Sequence, residues 1–319
     1  MIIDIPTKQE FFDAAETLIH GAWASLVDLV AGGDELALAF DTEPELSTNK
    51  LQEYWRLARP TLISSLSLVQ QAVEFYLKAE IASVSPYLLI SGDVRRWPKQ
   101  YEENDTRFPD FRGVDAQDLP RLYNTVTSKR LTADVSMWFH DLRNRRNRII
   151  HTVDSQFAIT PAQLAETVLR AHEYLVGERQ WLRSTRWYLD TTPTHGVKLG
   201  SDAEHEAYIR LKLHQEVASI VPILPHEAAV RYYGFDEELE AGSCPACTEV
   251  FEGDKFFDSR WTDGFLPTLQ SLPGPSRRSA CLVCGSAFWF CPECDAYSVE
   301  TTNGECLACG YLTPRNSQS

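Results

Sequence analysis

The sequence predicts a mainly α-helical protein that ends in two small β-rich modules. Apolar residues recur at helical spacing through most of the first 235 residues, and helix-start signals such as Thr7-Lys-Gln-Glu10 precede them. All eight cysteines lie after residue 243. We therefore predict an α-helical domain over residues 1–235 and a cysteine-rich module over residues 236–319.

The helices can be placed from their start and stop signals. Thr7 and Glu10 form a capping box, and Gly32-Gly33 is expected to end the first helix near Val30. An acidic linker should follow to about Asn49. Further helices are predicted over Lys50–Ile90 (broken or kinked at Pro60), Ala116–Thr125, Leu131–His151, Thr160–Tyr188, Asp202–Val221 and Pro225–Tyr233, with Ser91–Asp115 as a loop.

The helix Leu131–His151 carries the most informative residues of the chain. It ends in Arg146-Asn147-x-x-x-His151, which combines a planar cation, a carboxamide and an imidazole. Cleavage of a phosphodiester without a metal needs a group that moves protons near neutral pH and a fixed cation for the charge on the phosphoryl oxygens. The motif supplies both kinds of group.

The helical register places these residues on different faces. Arg146 falls in the middle of an apolar stripe formed by Val135, Trp138, Phe139, Leu142 and Ile149. Asn147 and His151 share another face, and Arg146 and His151 are about 140° apart on an ideal helix. One helix does not close a site from this pair, so a second copy of the helix, or unwinding near His151, would be needed. His140 lies on the face of Asn147 and His151 and is expected to be a surface residue or to line a groove.

At Arg146, Asn147 and His151 the sequence resembles the HEPN superfamily, whose ribonuclease members carry Arg, a polar residue, three further residues and His. The resemblance covers about residues 52–180, and Glu74-Phe-Tyr-Leu-Lys78 is similar to a Glu-x3-Lys element of that superfamily. Glu and Lys four apart are also an ordinary helix surface pair. The resemblance implies a HEPN-like helical bundle.

The resemblance also implies an activity. It is that of a metal-independent endoribonuclease in which the 2′-hydroxyl of the RNA attacks the adjacent phosphorus and leaves a 2′,3′-cyclic phosphate. His151 would transfer the proton, Arg146 would stabilise the phosphorane charge, and Asn147 would orient His151 or the phosphate. A homodimer that joins two motif helices at one cleft, and a role as a toxin, an antiviral-defence effector or an RNA-processing factor, are further implications.

The charge distribution leaves two function classes open. A net charge of −15 argues against a general nucleic-acid binder. The segment Lys129–Arg148 nevertheless holds six basic residues and two acidic ones. A local basic patch suits an enzyme that touches RNA selectively. It also suits a non-catalytic HEPN-like adaptor that binds a protein or ribonucleoprotein, and arginine-rich helix ends are common for electrostatic reasons alone.

The cysteines predict two metal sites. They form four Cys-x-x-Cys pairs, and each of two repeats opens with Cys-Pro-x-Cys and closes with Cys-x-x-Cys-Gly, with loops of 33 and 11 residues between the pairs. Two such pairs complete a tetrahedral zinc site. The repeat favours the sets Cys244/Cys247/Cys281/Cys284 and Cys291/Cys294/Cys306/Cys309 over crossed pairing, disulfides or an iron–sulfur cluster.

The expected zinc ions are structural. Each set has four thiolates and no open position, so no catalytic metal is expected. The pattern resembles tandem zinc ribbons, which could bind RNA, a partner protein or an inhibitor, or cap the fold. The sequence contains no run of about 20 apolar residues and does not begin like a secretion signal, so we expect a cytoplasmic protein without a membrane partner.

Overall fold

A computed structural model describes residues 1–40, 42, 44–98, 105–151, 158–191, 201–239, 241–253, 266–272, 278–300 and 304–312. For residues 149–151 it describes the backbone and not the side chains. The chain divides into two compact units, Met1–Leu175 and Val176–Ser319. Helices dominate the first unit, and the second combines helices with an antiparallel sheet, so the mainly α character with a β region at the C-terminal end is confirmed.

The first unit is built on two long helices that pack along each other. Its helices are Lys8–Ala39 (α1), Pro44–Val84 (α2), Leu119–Val126 (α3), Ala133–His151 (α4) and Pro161–Leu175 (α5). Helix α2 contacts each of the other four. The core consists of fully buried apolar side chains from these helices, among them Ile19, Leu26, Leu66, Leu77, Phe139 and Leu164.

The predicted end of the first helix at Gly32-Gly33 is wrong, because α1 continues to Ala39. A Cβ on Gly32 would lie 2.8 Å from the Tyr54 hydroxyl, and one on Gly33 would lie 3.0 Å from the Trp55 ring. The two glycines therefore let α2 approach α1 closely, and they do not terminate the helix. The predicted acidic linker to Asn49 is correspondingly short, because α2 already begins at Pro44.

Pro60 does not break its helix, whereas the single helix predicted over Thr160–Tyr188 is interrupted. Pro60 lies inside the continuous helix α2, where its exposed position costs one backbone hydrogen bond and leaves the buried face intact. The helix predicted over Thr160–Tyr188 is two helices, since the chain turns at Gly177, which has a φ of +138°. A two-residue parallel pairing of Ile2–Ile3 (β1) with Thr106–Arg107 (β2) places sheet structure outside the cysteine-rich region.

In its described residues, the second unit joins four helices to a five-stranded antiparallel sheet. Its helices are Trp181–Thr191 (α6), Asp202–Ile220 (α7), His226–Tyr233 (α8) and Pro245–Gly253 (α9). The strands follow chain order across the sheet: Ala241–Gly242 (β3), Leu269–Ser271 (β4), Arg278–Cys281 (β5), Ala287–Cys291 (β6) and Ala296–Glu300 (β7). Helix α7 contacts both α6 and α9, so the helices and the cysteine-rich segment belong to one compact unit. The division into separate domains over residues 1–235 and 236–319 stays a prediction.

Candidate functional site

Helix α4 presents the predicted motif on its C-terminal half. Thr132 precedes the helix, and its hydroxyl accepts a hydrogen bond of 3.3 Å from the Val135 amide. Phe139 and Leu142 are fully buried on the inner face, with exposed fractions of 1% and 2%. Arg146 follows on that face and is half-buried. The predicted placement of Arg146 within a core-facing apolar stripe agrees with the burial of Phe139 and Leu142, while the side chain of Ile149, the last member of that stripe, lies outside the described residues.

Arg146 and Asn147 form a hydrogen-bonded pair. The Arg146 guanidinium donates a hydrogen bond of 3.1 Å from Nη1 to Oδ1 of Asn147, and both residues are half-buried. No carboxylate in the described part of the chain lies within 4.0 Å of Arg146. The remaining guanidinium N–H groups and the Asn147 amide N–H groups keep donor capacity, which is the arrangement that an incoming phosphate can use.

His151 is the last residue of α4. The helix runs without a break from Ala133 to His151, so no unwinding before His151 moves it toward Arg146. Its backbone therefore remains about 140° around the helix from Arg146, given 3.6 residues per turn. The His151 side chain lies outside the described residues. The structure thus brings Arg146 and Asn147 together, and the place of the His151 imidazole stays a prediction.

Glu74 and Lys78 are engaged within α2. Their charged groups lie 3.9 Å apart, and Gln70 donates a hydrogen bond of 2.5 Å to Glu74. The Lys78 ammonium also sits 5.2 Å from the centre of the Phe75 ring. These contacts are those of a pair that supports the helix surface.

The other basic residues of α4 differ in their surroundings. Arg145 is exposed and paired with Asp141 at 2.8 Å, four residues earlier. His140 is exposed and lines an open groove of about 630 Å³ together with Arg121 and Arg130. The sequence pointed to His140 but not to Arg121, because these residues are far apart in the chain and only the fold brings both to one groove.

Two four-cysteine clusters form the sets that the repeat predicts. Within each cluster the sulfur atoms all lie within 4.8 Å of one another. Four sulfurs at 2.3 Å from a tetrahedral ion are expected about 3.8 Å apart. The measured separations agree: 3.6 Å for Cys244–Cys284, 4.0 Å for Cys247–Cys281, 3.8 Å for Cys291–Cys309 and 3.7 Å for Cys294–Cys306. They are far longer than a disulfide bond of about 2.05 Å. The clusters could therefore hold two zinc ions.

Helix α7 supplies the surroundings of the first cluster. Arg210 donates a hydrogen bond of 2.8 Å to the carbonyl oxygen of Ala246, which lies between Cys244 and Cys247. The same guanidinium donates one of 2.7 Å to Glu206, and Glu206 also accepts one from Arg186. A positive charge held beside four thiolates offsets part of the negative charge of a zinc–tetrathiolate centre.

His214 lies one turn further along α7 and is almost fully buried. Its ring packs edge-on against Phe251 at 5.6 Å. Burial lowers the pKa of His214 to about 4, and a negatively charged Cys284 opposes that shift. A neutral imidazole beside the first cluster at neutral pH follows from this burial.

The second cluster is more open than the first. Cys309 is exposed and Cys294 is half-buried, whereas Cys291 and Cys306 are buried in a small core with Val299. The Ser298 hydroxyl lies 2.9 Å from the Cys306 sulfur. Gly310 has a φ of +72° and donates its backbone N–H to the carbonyl oxygen of Cys306 at 2.8 Å, so the glycine of the Cys-x-x-Cys-Gly pattern closes a tight turn.

A buried polar network lies in the first unit, away from the motif in sequence. The Tyr76 hydroxyl donates a hydrogen bond to Glu16, and His20 Nε2 lies 3.3 Å from the same carboxylate. His172 on α5 is 99% buried. Burial lowers its pKa to about 4, the charge of Glu16 opposes the shift, and His20 adds to it. The Tyr76–Glu16 hydrogen bond joins α1 to α2, and His172 on α5 lies close enough to sense the charges of Glu16 and His20.

No protein-family model, no curated protein and no solved structure matches this chain. Among the described residues, no helix has the length and apolar character to cross a membrane. The described features that bear on function are the Arg146–Asn147 pair, the groove at the start of α4 and the two cysteine clusters.

Proposed function

We propose that this chain is a metal-independent endoribonuclease of the HEPN type. The observation that carries the proposal is the Arg146–Asn147 pair. A half-buried arginine has lost part of its hydration, and Arg146 has no carboxylate partner in the described part of the chain, so an incoming anion would meet an unneutralised cation. A phosphate is the anion whose geometry matches the guanidinium fork.

The pair supports a division of labour at a scissile phosphate. Asn147 uses its carbonyl oxygen to hold the guanidinium, so its amide N–H groups are left to donate to a phosphoryl oxygen. Arg146 would then stabilise the negative charge that builds as the 2′-oxygen attacks phosphorus. His151 would transfer protons, taking one from the 2′-hydroxyl or giving one to the departing 5′-oxygen.

A homodimer would complete this site. The reaction needs a proton acceptor on one side of the phosphorus and a donor on the other, and one motif helix carries a single His151. Two motif helices at one cleft would supply two imidazoles. The His151 of the second chain would then face the Arg146 of the first, which points away from the His151 of its own helix. The products would be a 2′,3′-cyclic phosphate and a 5′-hydroxyl.

The zinc ions have a separate, structural part in this proposal. Each cluster offers four thiolates and no open position for water or substrate. Bound zinc would fix the strands and helix N-terminus that carry the cysteines. The proton transfer and charge stabilisation come from Arg146, Asn147 and His151.

The test is cleavage of single-stranded RNA by the purified full-length protein and by Arg146→Ala and His151→Ala. Arg145→Ala is the matched control, because Arg145 lies on the same helix and is already paired with Asp141. We expect both motif variants to lose at least a hundredfold in rate while the control keeps it. The released fragments should end in a cyclic phosphate, and an RNA with a 2′-deoxy sugar at the cleavage position should resist.

The same variants distinguish the ribonuclease from the alternative, a non-catalytic adaptor. Inducible expression in a bacterium should slow growth and fragment RNA only when Arg146 and His151 are both present. Equal RNA cleavage by all four proteins would overturn the assignment of the site. Intact RNA in every case, together with a partner that binds the wild type and the motif variants equally, would favour the non-catalytic adaptor.

A further inference from the structure

We propose that the groove beside the start of α4 is a binding site for the phosphate backbone of the RNA substrate. We call it the α3–α4 groove, and it is lined by Arg121, Asn124, Thr125, Arg130, Ser136 and His140 with Pro120 at its edge. It is open and measures about 630 Å³. This inference rests on the proposed ribonuclease function, and it adds a second contact that holds the RNA away from the reacting phosphate.

The charge of the α3–α4 groove is opposite to that of the chain as a whole. The protein carries a net charge of −15, yet none of the described residues that line the groove is acidic. Arg121 and Arg130 are both exposed, and neither has a carboxylate within 4.0 Å in the part of the chain that the structure describes. Two exposed guanidinium groups without ion-pair partners, on an acidic protein, form a local attraction for a polyanion.

The groove is held in shape by backbone contacts. The Asn124 side chain accepts a hydrogen bond of 2.7 Å from the Leu131 amide, and the Thr127 hydroxyl donates one of 2.7 Å to the Lys129 carbonyl. These two bonds fix the short connection between α3 and α4, which carries Arg130. The backbone that carries Arg130 is therefore positioned before a ligand arrives, which reduces the entropy lost on binding.

The register of α4 links the α3–α4 groove to the proposed catalytic residues. His140 and Asn147 are seven residues apart, so they lie on one face of the helix about 10 Å apart along its axis. His151 lies on the same face, about 16 Å from His140 along the axis. An RNA strand that occupied the groove could follow this face and reach the motif within a few nucleotides. This alignment favours RNA over an acidic protein as the ligand.

The experiment compares two double variants that remove the same charge. Arg121→Ala/Arg130→Ala removes the cations of the groove. Arg95→Ala/Arg112→Ala removes two exposed arginines of the same unit that are paired with Asp93 and Asp115, and so serves as the control. Each is made in wild type for cleavage and in a His151→Ala background for binding of a fluorescent single-stranded 20-nucleotide RNA.

We expect the groove variant to bind the RNA about tenfold more weakly than the control. The slope of log Kd against the logarithm of the salt concentration should fall by about 1.4. Each lost phosphate contact on a single strand contributes about 0.7 to that slope. In cleavage, KM for the long RNA should rise while the rate on a dinucleotide, which spans only the scissile phosphate, should not change. If the two arginines only supported the fold, the groove variant would cleave the long RNA and the dinucleotide more slowly to the same extent.

The possible results separate the two proposals. Equal RNA affinity and equal salt dependence for the two double variants would overturn the groove site even if the wild type cleaves RNA. Weaker binding by the groove variant, in a protein that cleaves nothing, would support the groove and overturn the ribonuclease. Absence of RNA binding, with binding of a poly-glutamate peptide that the groove variant loses, would overturn the RNA assignment in favour of an acidic protein.

Discussion

The Arg210 guanidinium lies 2.8 Å from the carbonyl oxygen of Ala246 and joins helix α7 to the first Cys-x-x-Cys turn. The contact places a fixed positive charge beside Cys247 and Cys284. It also extends through Glu206 to Arg186 on α6, so three charged side chains connect two helices to the metal cluster. Residues outside the ligand set commonly tune metal affinity in this way.

The first prediction concerns this contact. Arg210→Ala should weaken zinc binding at the first cluster about tenfold or more and leave the second cluster unchanged. Release of zinc to a coloured chelator should then show one faster and one unaltered phase, and Arg210→Lys should restore part of the difference. Two equally accelerated phases would show that Arg210 acts on the fold of the whole unit and not on one cluster.

The second prediction concerns removal of both ions. Helices α6 to α8 belong to the compact unit that contains the cysteines, and α7 contacts the helix that carries Cys247. Chelation under reducing conditions should therefore expose amides of residues 202–233 to hydrogen exchange, together with those of the sheet. Amides of Lys8–Val84 provide the internal reference. Protection of 202–233 that survives zinc removal would favour independent folding of residues 1–235.

The third prediction uses two glycines of one helix. Gly21→Ala meets no atom within 4 Å and should stabilise the protein by about 1 kcal/mol, because alanine favours a helix. Gly32→Ala should destabilise it by about 1–3 kcal/mol. Its Cβ would press on the Tyr54 hydroxyl, which is held by a hydrogen bond of 2.7 Å to the Leu29 carbonyl. Urea unfolding of both variants checks the sign of each change.

The fourth prediction is a loss of stability in mild acid. The pKa of His172 is about 4 in the folded protein and about 6.5 when unfolded, so between these values the unfolded chain binds more protons. Stability should therefore rise with pH from 4 to 6.5, and this histidine should cost about 2 kcal/mol at pH 5 relative to pH 8.

His172→Gln should remove that part of the pH dependence. Hydrogen exchange of Pro161–Leu175 is compared between wild type and variant at pH 5 and pH 8. The comparison separates the contribution of His172 from that of the zinc thiolates, which titrate equally in both proteins. An identical pH dependence in the two proteins would contradict the assignment of the effect to His172.

The fifth prediction changes one atom of the motif. Asn147→Asp would place a carboxylate beside the Arg146 guanidinium and occupy it. RNA cleavage should fall about a hundredfold or more, while the free energy of unfolding should stay within about 1 kcal/mol of wild type. Asn144→Asp adds the same charge at an exposed position of the same helix and should keep most of the activity. Equal losses in the two variants would mean that net charge, and not the pair, controls the rate.

The features that the sequence predicts well are those encoded locally. The four cysteine pairs and their two sets follow from spacing and repetition alone, and the structure confirms both sets. The capping box predicted at Thr7 marks the beginning of α1, because the two residues that form it lie within three positions of one another.

The features that the sequence misses depend on contacts between distant segments. Gly32 and Gly33 have the composition of a helix end, and only Tyr54 and Trp55 on the next helix explain why the helix continues. Arg121 on α3 and His140 on α4 line one groove only because the fold brings the two helices to it. The orientation of the His151 side chain stays a prediction, because that side chain lies outside the described residues.

Strand β6 connects the two cysteine clusters within one sheet. It begins three residues after Cys284, a member of the first cluster, and ends at Cys291, a member of the second. An ion in the first cluster would fix the start of this strand, and its pairing with β5 would then deliver Cys291 in register. The chain entropy lost when the strand becomes ordered would be lost on binding of the first ion and not again on binding of the second. Zinc uptake should therefore be ordered, so that the first ion occupies the first cluster and the second cluster fills after it.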